Sequence, residues 1–242
     1  MKVLVISDIH ANLTALEAVL EEAGDADQIW CLGDVVGYGP DPNACVEVIR
    51  GLPHGVCLRG NHDSAVCGLS SISKFNYTAQ EVLRWTQAKL SKENQRYLAS
   101  LDAKRVEGDF TLAHGSPRRP VWEYIMDTPT AEENFEHFET DVCLVGHSHL
   151  PVVYVQKEGK TMVEAGYLAD GQQRQLIRKS IVNPGSVGQP RDHDPRAAYA
   201  LLDTADHLWS QGRVTYRVGS MQKRMKKAGL PGDYVRRLEL GW

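Results

Sequence analysis

The composition of the chain is that of a globular protein. Its 242 residues include 27 basic and 31 acidic side chains, for a formal net charge of −4, and 42% of them are hydrophobic. With 21 glycines and 11 prolines, this composition excludes a disordered, collagenous or coiled-coil chain, because disorder needs fewer apolar residues and coiled coils need fewer Gly and Pro. A chain of this length buries about 70 to 75% of its unfolded surface, so we expect one domain over residues 1–242.

No segment of the sequence is expected to enter a membrane. The longest apolar run, residues 197–202, is far shorter than the roughly 20 residues of a transmembrane helix. The run at residues 3–6 is too short for the core of a signal peptide. The five cysteines are odd in number and scattered, which indicates free thiols. We therefore expect a cytoplasmic protein with no membrane partner.

Strands and helices alternate along the first part of the chain. Buried strands are predicted at residues 2–7, 28–32, 56–59, 104–107, 110–113 and 142–145. Helices are predicted after the first strand, with Leu13, Leu16, Val19, Leu20 and Ala23 on one face, from Asp41 onward, and over about residues 92–101. Capping-box spacing predicts two more helix starts, at Thr78 with Glu81 and at Thr130 with Glu133.

The later part of the chain is mostly strand. Strands are predicted at residues 152–155, 161–165, 175–182, 197–202 and 214–218. This order favours an α/β fold in which two mixed β-sheets pack face to face between layers of helices, a four-layer α/β/β/α sandwich.

A basic segment closes the sequence. Residues 213–237 hold eight basic side chains and one acidic side chain. Val218, Met221, Met225 and Ala228 have helical spacing, so a basic amphipathic helical segment is predicted at about residues 218–242. It is either a solvated helix that packs by its apolar edge or a contact for a partner or polyanion.

Polar residues of the kinds that bind metals directly follow five predicted strands. They are Asp8 and His10, Asp34, Asn61 with His62 and Asp63, His114, and His147 with His149. Ligands at the carboxyl ends of neighbouring strands build one site from distant sequence. Gly33, Gly60, Gly115 and Gly146 flank them, and we expect these glycines to turn the backbone sharply off each strand.

The chemistry of these donors indicates the kind of metal. Carboxylate, amide and imidazole groups without a thiolate suit Mn, Fe, Zn, Ni or Co and argue against a structural zinc site. Seven of these residues, all except His62 and Asp63, are taken as candidate ligands, and seven are too many for one ion. The sequence therefore predicts two divalent ions that share a bridging carboxylate.

The same motifs in the same order resemble the signature of the calcineurin-like metallophosphoesterases. They are Asp8-x-His10, Gly33-Asp34, Gly60-Asn61-His62-Asp63, His114 and Gly146-His147-Ser148-His149. Asn183-Pro184-Gly185-Ser186 followed by Gly188 resembles the small single-domain prokaryotic branch, and that resemblance implies a phosphodiesterase.

The resemblance also implies a role for each residue. Asp8, His10 and His149 would hold one ion, Asn61, His114 and His147 the other, and Asp34 would bridge them. A hydroxide shared by the ions would attack phosphorus in line. His62 would protonate the leaving group as general acid, and Asp63 would orient or charge-stabilise its imidazole.

Three further residues are candidate substrate contacts. Tyr38, in the loop after Asp34, either stacks on a leaving group or packs locally. Asn12 orients the first metal loop or caps its helix, and the cap is the safer interpretation. Arg118 follows His114 closely enough to reach a phosphate, or lies solvated in its loop. The loops at residues 64–76 and 116–128 are candidate rims.

The favoured function is a dinuclear-metal-dependent phosphodiesterase acting on small phosphoesters. The alternative is a nucleotide pyrophosphohydrolase, phosphomonoesterase or protein phosphatase using the same site. A non-catalytic metal-binding scaffold is a distant third. Outside the basic segment the chain is acidic and repels a long polyanion, so a nucleic acid partner is not expected. A homo-oligomer stays open.

Overall fold

A computed structural model of the chain describes residues 1–52, 54–156 and 162–242. Within these residues the strands form two six-stranded sheets. Across the first sheet the order is β3 (Val56–Cys57), β2 (Gln28–Cys31), β1 (Lys2–Ile6), β11 (Ala197–Asp203), β12 (Leu208–Val214) and β9 (Gln173–Gln175). Across the second it is β4 (Lys104–Glu107), β5 (Phe110–Ala113), β6 (Val142–Leu144), β10 (Ser180–Pro184), β7 (Pro151–Gln156) and β8 (Val163–Tyr167).

Helices cover the outer faces of both sheets. In the described ranges they are α1 (Leu13–Ala23), α2 (Pro42–Gly51), α3 (Asn61–Val66), α4 (Tyr77–Lys89), α5 (Lys92–Ser100), α6 (Thr128–Asn134), α7 (Val218–Lys227) and α8 (Gly232–Leu240). No helix in the described part of the chain has the length and apolar character needed to cross a membrane.

Successive side chains of β1 point to opposite faces of the first sheet, and this explains the layers of the fold. Val3 and Val5 pack between the two sheets, together with side chains of β5 and β6. Leu4 and Ile6 point the other way, into the core under α1 and α2. A strand covered on both faces is apolar throughout, and this is why β1 shows no polar alternation. The predicted four-layer α/β/β/α sandwich is confirmed.

Two strand predictions are wrong. Residues 175–182 are not one strand, because the chain leaves the first sheet at the end of β9 and enters the second at Ser180. Lys179, at φ +57°, interrupts the extended backbone between them. Residues 214–218 are not a strand either, because β12 ends at Val214 and α7 begins at Val218. The prediction for residues 161–165 begins at Thr161, which lies outside the described residues, and β8 starts at Val163.

Two helices begin earlier than their capping-box spacing predicts. The Asn76 side chain accepts a hydrogen bond from the Ala79 N–H at 2.9 Å, so Asn76 rather than Thr78 caps α4. In the same way Asp127 accepts from the Thr130 N–H at 2.8 Å and caps α6. Asn and Asp are strong N-caps, so the two helices are capped by Asn76 and Asp127 rather than by the predicted Thr78 and Thr130.

The basic segment at the end of the sequence forms α7 and α8. Met221 and Met225 of α7 and Tyr234 and Leu238 of α8 pack in one apolar cluster with α4. The same cluster contains Tyr38. The two helices therefore lie against the loop that follows Asp34.

Candidate metal centre

The predicted ligands come together beyond the carboxyl ends of strands from both sheets. Asp8 and His10 follow β1, Asp34 follows β2 and Asn61 begins α3, all on the side of the first sheet, while His114 follows β5 and His147 and His149 follow β6 of the second. All seven are at most 3% exposed. We call this group of seven the metal centre.

The donor atoms form two groups. Asp8, His10 and His149 place theirs within 4.8 Å of one another, and so do Asp34, His114 and His147. In the first group His149 Nε2 lies 3.2 Å from Asp8 Oδ1. In the second, His114 Nε2 lies 3.4 Å from Asp34 Oδ2 and 3.1 Å from the side-chain oxygen of Asn61. Asp34 Oδ2 is also 3.8 Å from His10 Nε2, so Asp34 lies between the groups.

Backbone carbonyls fix the orientation of three of the rings. Nδ1 of His10, His114 and His149 lies 3.3, 3.0 and 2.5 Å from the carbonyl oxygens of Val36, Leu32 and Gln189, respectively. A carbonyl only accepts, so each Nδ1 donates, and Nε2 of the neutral ring presents a lone pair to the centre. The two Nε2 atoms of His10 and His149 are 3.1 Å apart. A cation between such lone pairs replaces their repulsion with attraction.

Two atoms of the centre lack the partner that burial normally requires. Asp8 Oδ1 and His147 Nε2 are buried without a hydrogen bond among the described residues, although buried polar atoms are nearly always paired. With carboxylate, amide and imidazole donors around them, they fit divalent cations.

The charges of the centre also favour a cation. Burial alone would raise the pKa of Asp8, but the neighbouring His149 holds that pKa well below its usual range. Burial alone would also raise the pKa of Asp34, but the neighbouring His114 and His62 hold that pKa well below its usual range. Both carboxylates are therefore ionised at neutral pH, and they attract positive charge.

Backbone strain is concentrated in the same loops. Asp8, His10, Asp34, His147 and His149 have φ between +50° and +65°. Residues other than glycine seldom adopt this left-handed region. Such strain persists only where surrounding contacts enforce it, and it clusters at functional sites.

Of the four flanking glycines, one turns the chain as predicted and three permit a close approach of other atoms instead. Gly33 does turn the chain, at φ +105°. Gly60 and Gly146 instead permit close approach, since an added Cβ would lie 2.0 Å from Asp34 Oδ1 and from Ser7 Oγ, respectively. At Gly115 it would lie 2.9 Å from the Glu123 carbonyl oxygen.

Gly60→Ala tests this close approach. The new Cβ must displace the Asp34 carboxylate, so we expect loss of bound metal and of at least about 90% of the activity, because metal affinity depends on ligand orientation. Metal analysis and hydrolysis assays measure both. Gly51→Ala is the matched control, since nothing lies within 4 Å of its added Cβ. Full metal content in Gly60→Ala would refute this role for Gly60.

His62 lies beside the metal centre. Its ring packs against those of His10, Tyr38 and Phe75, at centroid distances of 4.8, 4.6 and 4.9 Å. Its backbone N–H donates to Asp34 Oδ1 at 2.9 Å. Burial lowers the pKa of His62 to about 4, so its imidazole is neutral in the free protein at pH 7.

The predicted contact of Asp63 with the His62 imidazole is not made. The Asp63 carboxylate instead accepts hydrogen bonds from the backbone N–H groups of Gly60, Val35 and Val36, at 3.0, 3.3 and 3.1 Å. Nδ1 of His62 has no hydrogen-bond partner in the described ranges. Adjacent helical residues do not face each other, which explains why Asp63 turns away and joins the loops of Asp34 and Asn61.

Of the candidate substrate contacts, Tyr38 lies against residues of the site and Asn12 makes structural hydrogen bonds. Tyr38 packs against His10, His62 and Tyr234, with 4.6 Å between the ring centroids in each case. Asn12 caps α1 by accepting from the Ala15 N–H, and it donates to the Gly188 carbonyl at 3.0 Å. These hydrogen bonds occupy its side chain, in agreement with the interpretation of Asn12 as a helix cap.

The Arg118 side chain is paired with two glutamates. Its guanidinium donates to Glu123 at 2.5 Å and to Glu133 at 2.7 Å. These ion pairs hold the segment between β5 and α6 together. These contacts occupy three of its five N–H donors and give no support to the expectation that Arg118 reaches a phosphate.

Two side chains beside the metal centre, those of Tyr124 and Arg191, were not identified from the sequence. The Tyr124 ring stacks on that of His147, with 3.7 Å between centroids and 18° between planes. Arg191 lines a cavity together with Tyr124. Tyr124 lies in a predicted rim loop, whereas Arg191 has no signal beyond its place shortly after the Asn183-Pro184-Gly185-Ser186 motif.

Comparison with known proteins agrees with this arrangement. Residues 1–207 match the sequence model of the calcineurin-like phosphoesterase superfamily domain. The crystal structure of a metallophosphoesterase from Sphaerobacter thermophilus, 45% identical in sequence, covers 100% of this chain and 99% of its own with a TM-score of 0.92.

Two curated proteins are also similar in sequence. An uncharacterized protein of Methanocaldococcus jannaschii is 37% identical over 99% of this chain and 98% of its own length. The phosphodiesterase YfcE of Escherichia coli is 30% identical over 84% of this chain and 88% of its own length.

Proposed function

The chain belongs to the calcineurin-like phosphoesterase superfamily, and from that premise we propose that it hydrolyses small phosphodiesters with two divalent metal ions. Membership makes it a metal-dependent phosphoester hydrolase. The preference for diesters is supported by its similarity to a phosphodiesterase of Escherichia coli. The donor set suits Mn, Fe, Ni, Zn or Co.

The position of Asp34 is the observation that carries this proposal. One of its oxygens lies 3.4 Å from His114 Nε2 and 3.8 Å from His10 Nε2, so a single carboxylate is shared by both donor groups. We assign Asp8, His10 and His149 to one ion, Asn61, His114 and His147 to the other, and Asp34 to both. The two ions would supply a hydroxide nucleophile at neutral pH and neutralise the phosphate oxygens.

His62 is the proposed general acid. One of its ring nitrogens lies within 4.8 Å of the donor atoms of His10 and Asp34, and this proximity supports its assignment as the group that faces a phosphate bound at the centre. Because the free imidazole is neutral at pH 7, the anionic substrate must raise its pKa before the ring can carry the proton to the leaving oxygen.

Asp63 is proposed as a positioning residue. Its three backbone hydrogen bonds hold the Asp34 loop against the start of α3, and burial raises its pKa to about 7. Its substitution should therefore act through the placement of Asp34 and His62.

Hydrolysis assays test the proposed function. Metal-stripped protein is reloaded with Mn, Ni, Zn or Mg and given bis(p-nitrophenyl) phosphate or the monoester p-nitrophenyl phosphate. We expect activity that returns with metal and has a higher kcat/KM for the diester. A higher value for the monoester would favour a phosphatase, and no turnover with two ions bound would contradict the proposal.

A further inference from the structure

A cavity of about 400 Å³ adjoins the metal centre. Three of its lining side chains are aromatic, Tyr38, Tyr124 and Trp242, and two are cationic, Arg191 and Arg237. Tyr38 touches His10 and His62, and Tyr124 stacks on His147, so the cavity opens directly beside the donors. We call it the aromatic cavity.

Arg191 is a cation without a carboxylate partner. Its guanidinium donates to the neutral side-chain oxygen of Gln189 at 3.3 Å. Its Nε is buried and unpaired, and no ion pair of Arg191 occurs within the described residues. A buried charge is costly unless it is paired. The site is thus prepared for an anion that comes from outside the chain.

The position of Arg191 relates this anion to the reaction. Arg191 lines the aromatic cavity together with Tyr38, which contacts His62, and with Tyr124, which stacks on the metal ligand His147. Arg191 therefore lies close to the proposed general acid and to one metal ligand. An oxyanion bound by Arg191 would lie beside the metal centre, which is the place of the phosphoryl group.

The outer wall of the aromatic cavity belongs to α8 and the residues after it. The Arg237 guanidinium lies over the rings of Tyr234 and Trp242, at 5.2 and 5.9 Å. Tyr234 in turn contacts Tyr38 at 4.6 Å. Flat aromatic faces and a stacked guanidinium bind the faces of bases through stacking and cation–π attraction.

We propose that the aromatic cavity binds the nucleoside part of a nucleotide ester, with Arg191 on its phosphoryl group. This inference rests on the proposed function and names the substrate class for it. Ligand pockets usually measure about 300 to 1,000 Å³, and this volume suits a single nucleoside. Specificity for the base would then come from α8, outside the region that matches the family domain.

Equilibrium binding to the full-length chain, both metal-free and loaded with Mn, tests the inference. The probes are adenosine 5′-monophosphate and ribose 5-phosphate, measured by calorimetry. We expect the nucleotide to bind at least about tenfold more tightly, because only it offers a base for stacking. Equal affinities would overturn the role of the aromatic cavity, and this comparison needs no variant.

Variants separate the two parts of the site. Arg191→Gln should weaken both ligands by about tenfold or more, through loss of a charge-assisted contact, and Arg191→Lys should recover part of this loss. Arg237→Gln should weaken only the nucleotide. Arg236→Gln on the same helix is the control, since its side chain is 77% exposed and paired with Asp233. Unchanged binding in Arg191→Gln would overturn the role of Arg191.

Failure of this inference differs from failure of the proposed function. Metal-dependent cleavage of bis(p-nitrophenyl) phosphate with no nucleotide preference would leave the phosphodiesterase standing and remove the nucleotide. Nucleotide binding without diester cleavage would remove the phosphodiesterase alone.

Discussion

Replacing Asp34 with Asn should release both metal ions and reduce phosphodiester hydrolysis by about a thousandfold or more. Asp34 Oδ2 faces one histidine of each donor group, and an amide has neither the charge nor the second oxygen for two cations. The ions contribute several kcal/mol to transition-state stabilisation, which corresponds to this factor in rate. Metal content per chain and kcat/KM for a diester measure the effect.

The control for Asp34→Asn is Asp25→Asn. Asp25 is exposed in the turn before β2, so its variant loses the same charge far from the metal centre and should keep wild-type metal and activity. Two tightly held ions in Asp34→Asn would show that Asp34 does not bridge.

Replacing His62 with Ala should separate metal binding from turnover. We expect unchanged metal content and a fall of about 10²- to 10⁴-fold in kcat for diesters of poorly leaving alcohols, the usual contribution of a general acid. The fall should be much smaller for p-nitrophenyl esters, because p-nitrophenolate leaves without a proton. Metal analysis and a series of leaving groups give both readouts.

His54→Asn serves as the control for His62. His54 is exposed at φ +54°, a conformation that Asn tolerates, and its variant should behave as wild type. If His62→Ala lost metal in step with activity, His62 would be a ligand. An equal loss for all leaving groups would exclude general-acid catalysis.

The metal centre could be predicted from sequence because its signals are local. Each ligand directly follows a strand, and parallel strands such as β1 and β2 bring their carboxyl ends together. Apolar runs identify those strands without knowledge of their partners. The order of the donor residues was therefore enough to predict that Asp8, Asp34 and His114 lie close together.

The surroundings of the centre depend on contacts between distant segments and could not be predicted. Asp63 neighbours His62 in sequence, yet two of its three partners are backbone amides 27 and 28 residues away. Arg191 reaches the centre because the loop before it packs on the loop of Asp8, where Gly188 N–H donates to the Asp8 carbonyl at 2.9 Å. Nothing in either local sequence specifies these contacts.

The strand errors have the same origin. Residues 175–182 are apolar enough to suggest one strand, but β9 and β10 lie in different sheets and Lys179 interrupts the extended backbone between them. β12 escaped prediction because it contains Gln211 and Gly212. Gln211 is buried, donating to the carbonyls of Pro184 and Tyr199 at 2.9 and 2.8 Å, and an added Cβ at Gly212 would lie 2.4 Å from the Tyr199 ring.

The most direct test of the central claim is electron paramagnetic resonance on the metal-stripped chain as Mn²⁺ is added. If Asp34 bridges two ions, the chain binds two Mn²⁺, and their spectrum is that of an exchange-coupled pair, because bridged ions lie about 3.5 to 4 Å apart. Binding of one Mn²⁺ per chain, or of two whose spectrum is the sum of uncoupled ions, would contradict the shared centre.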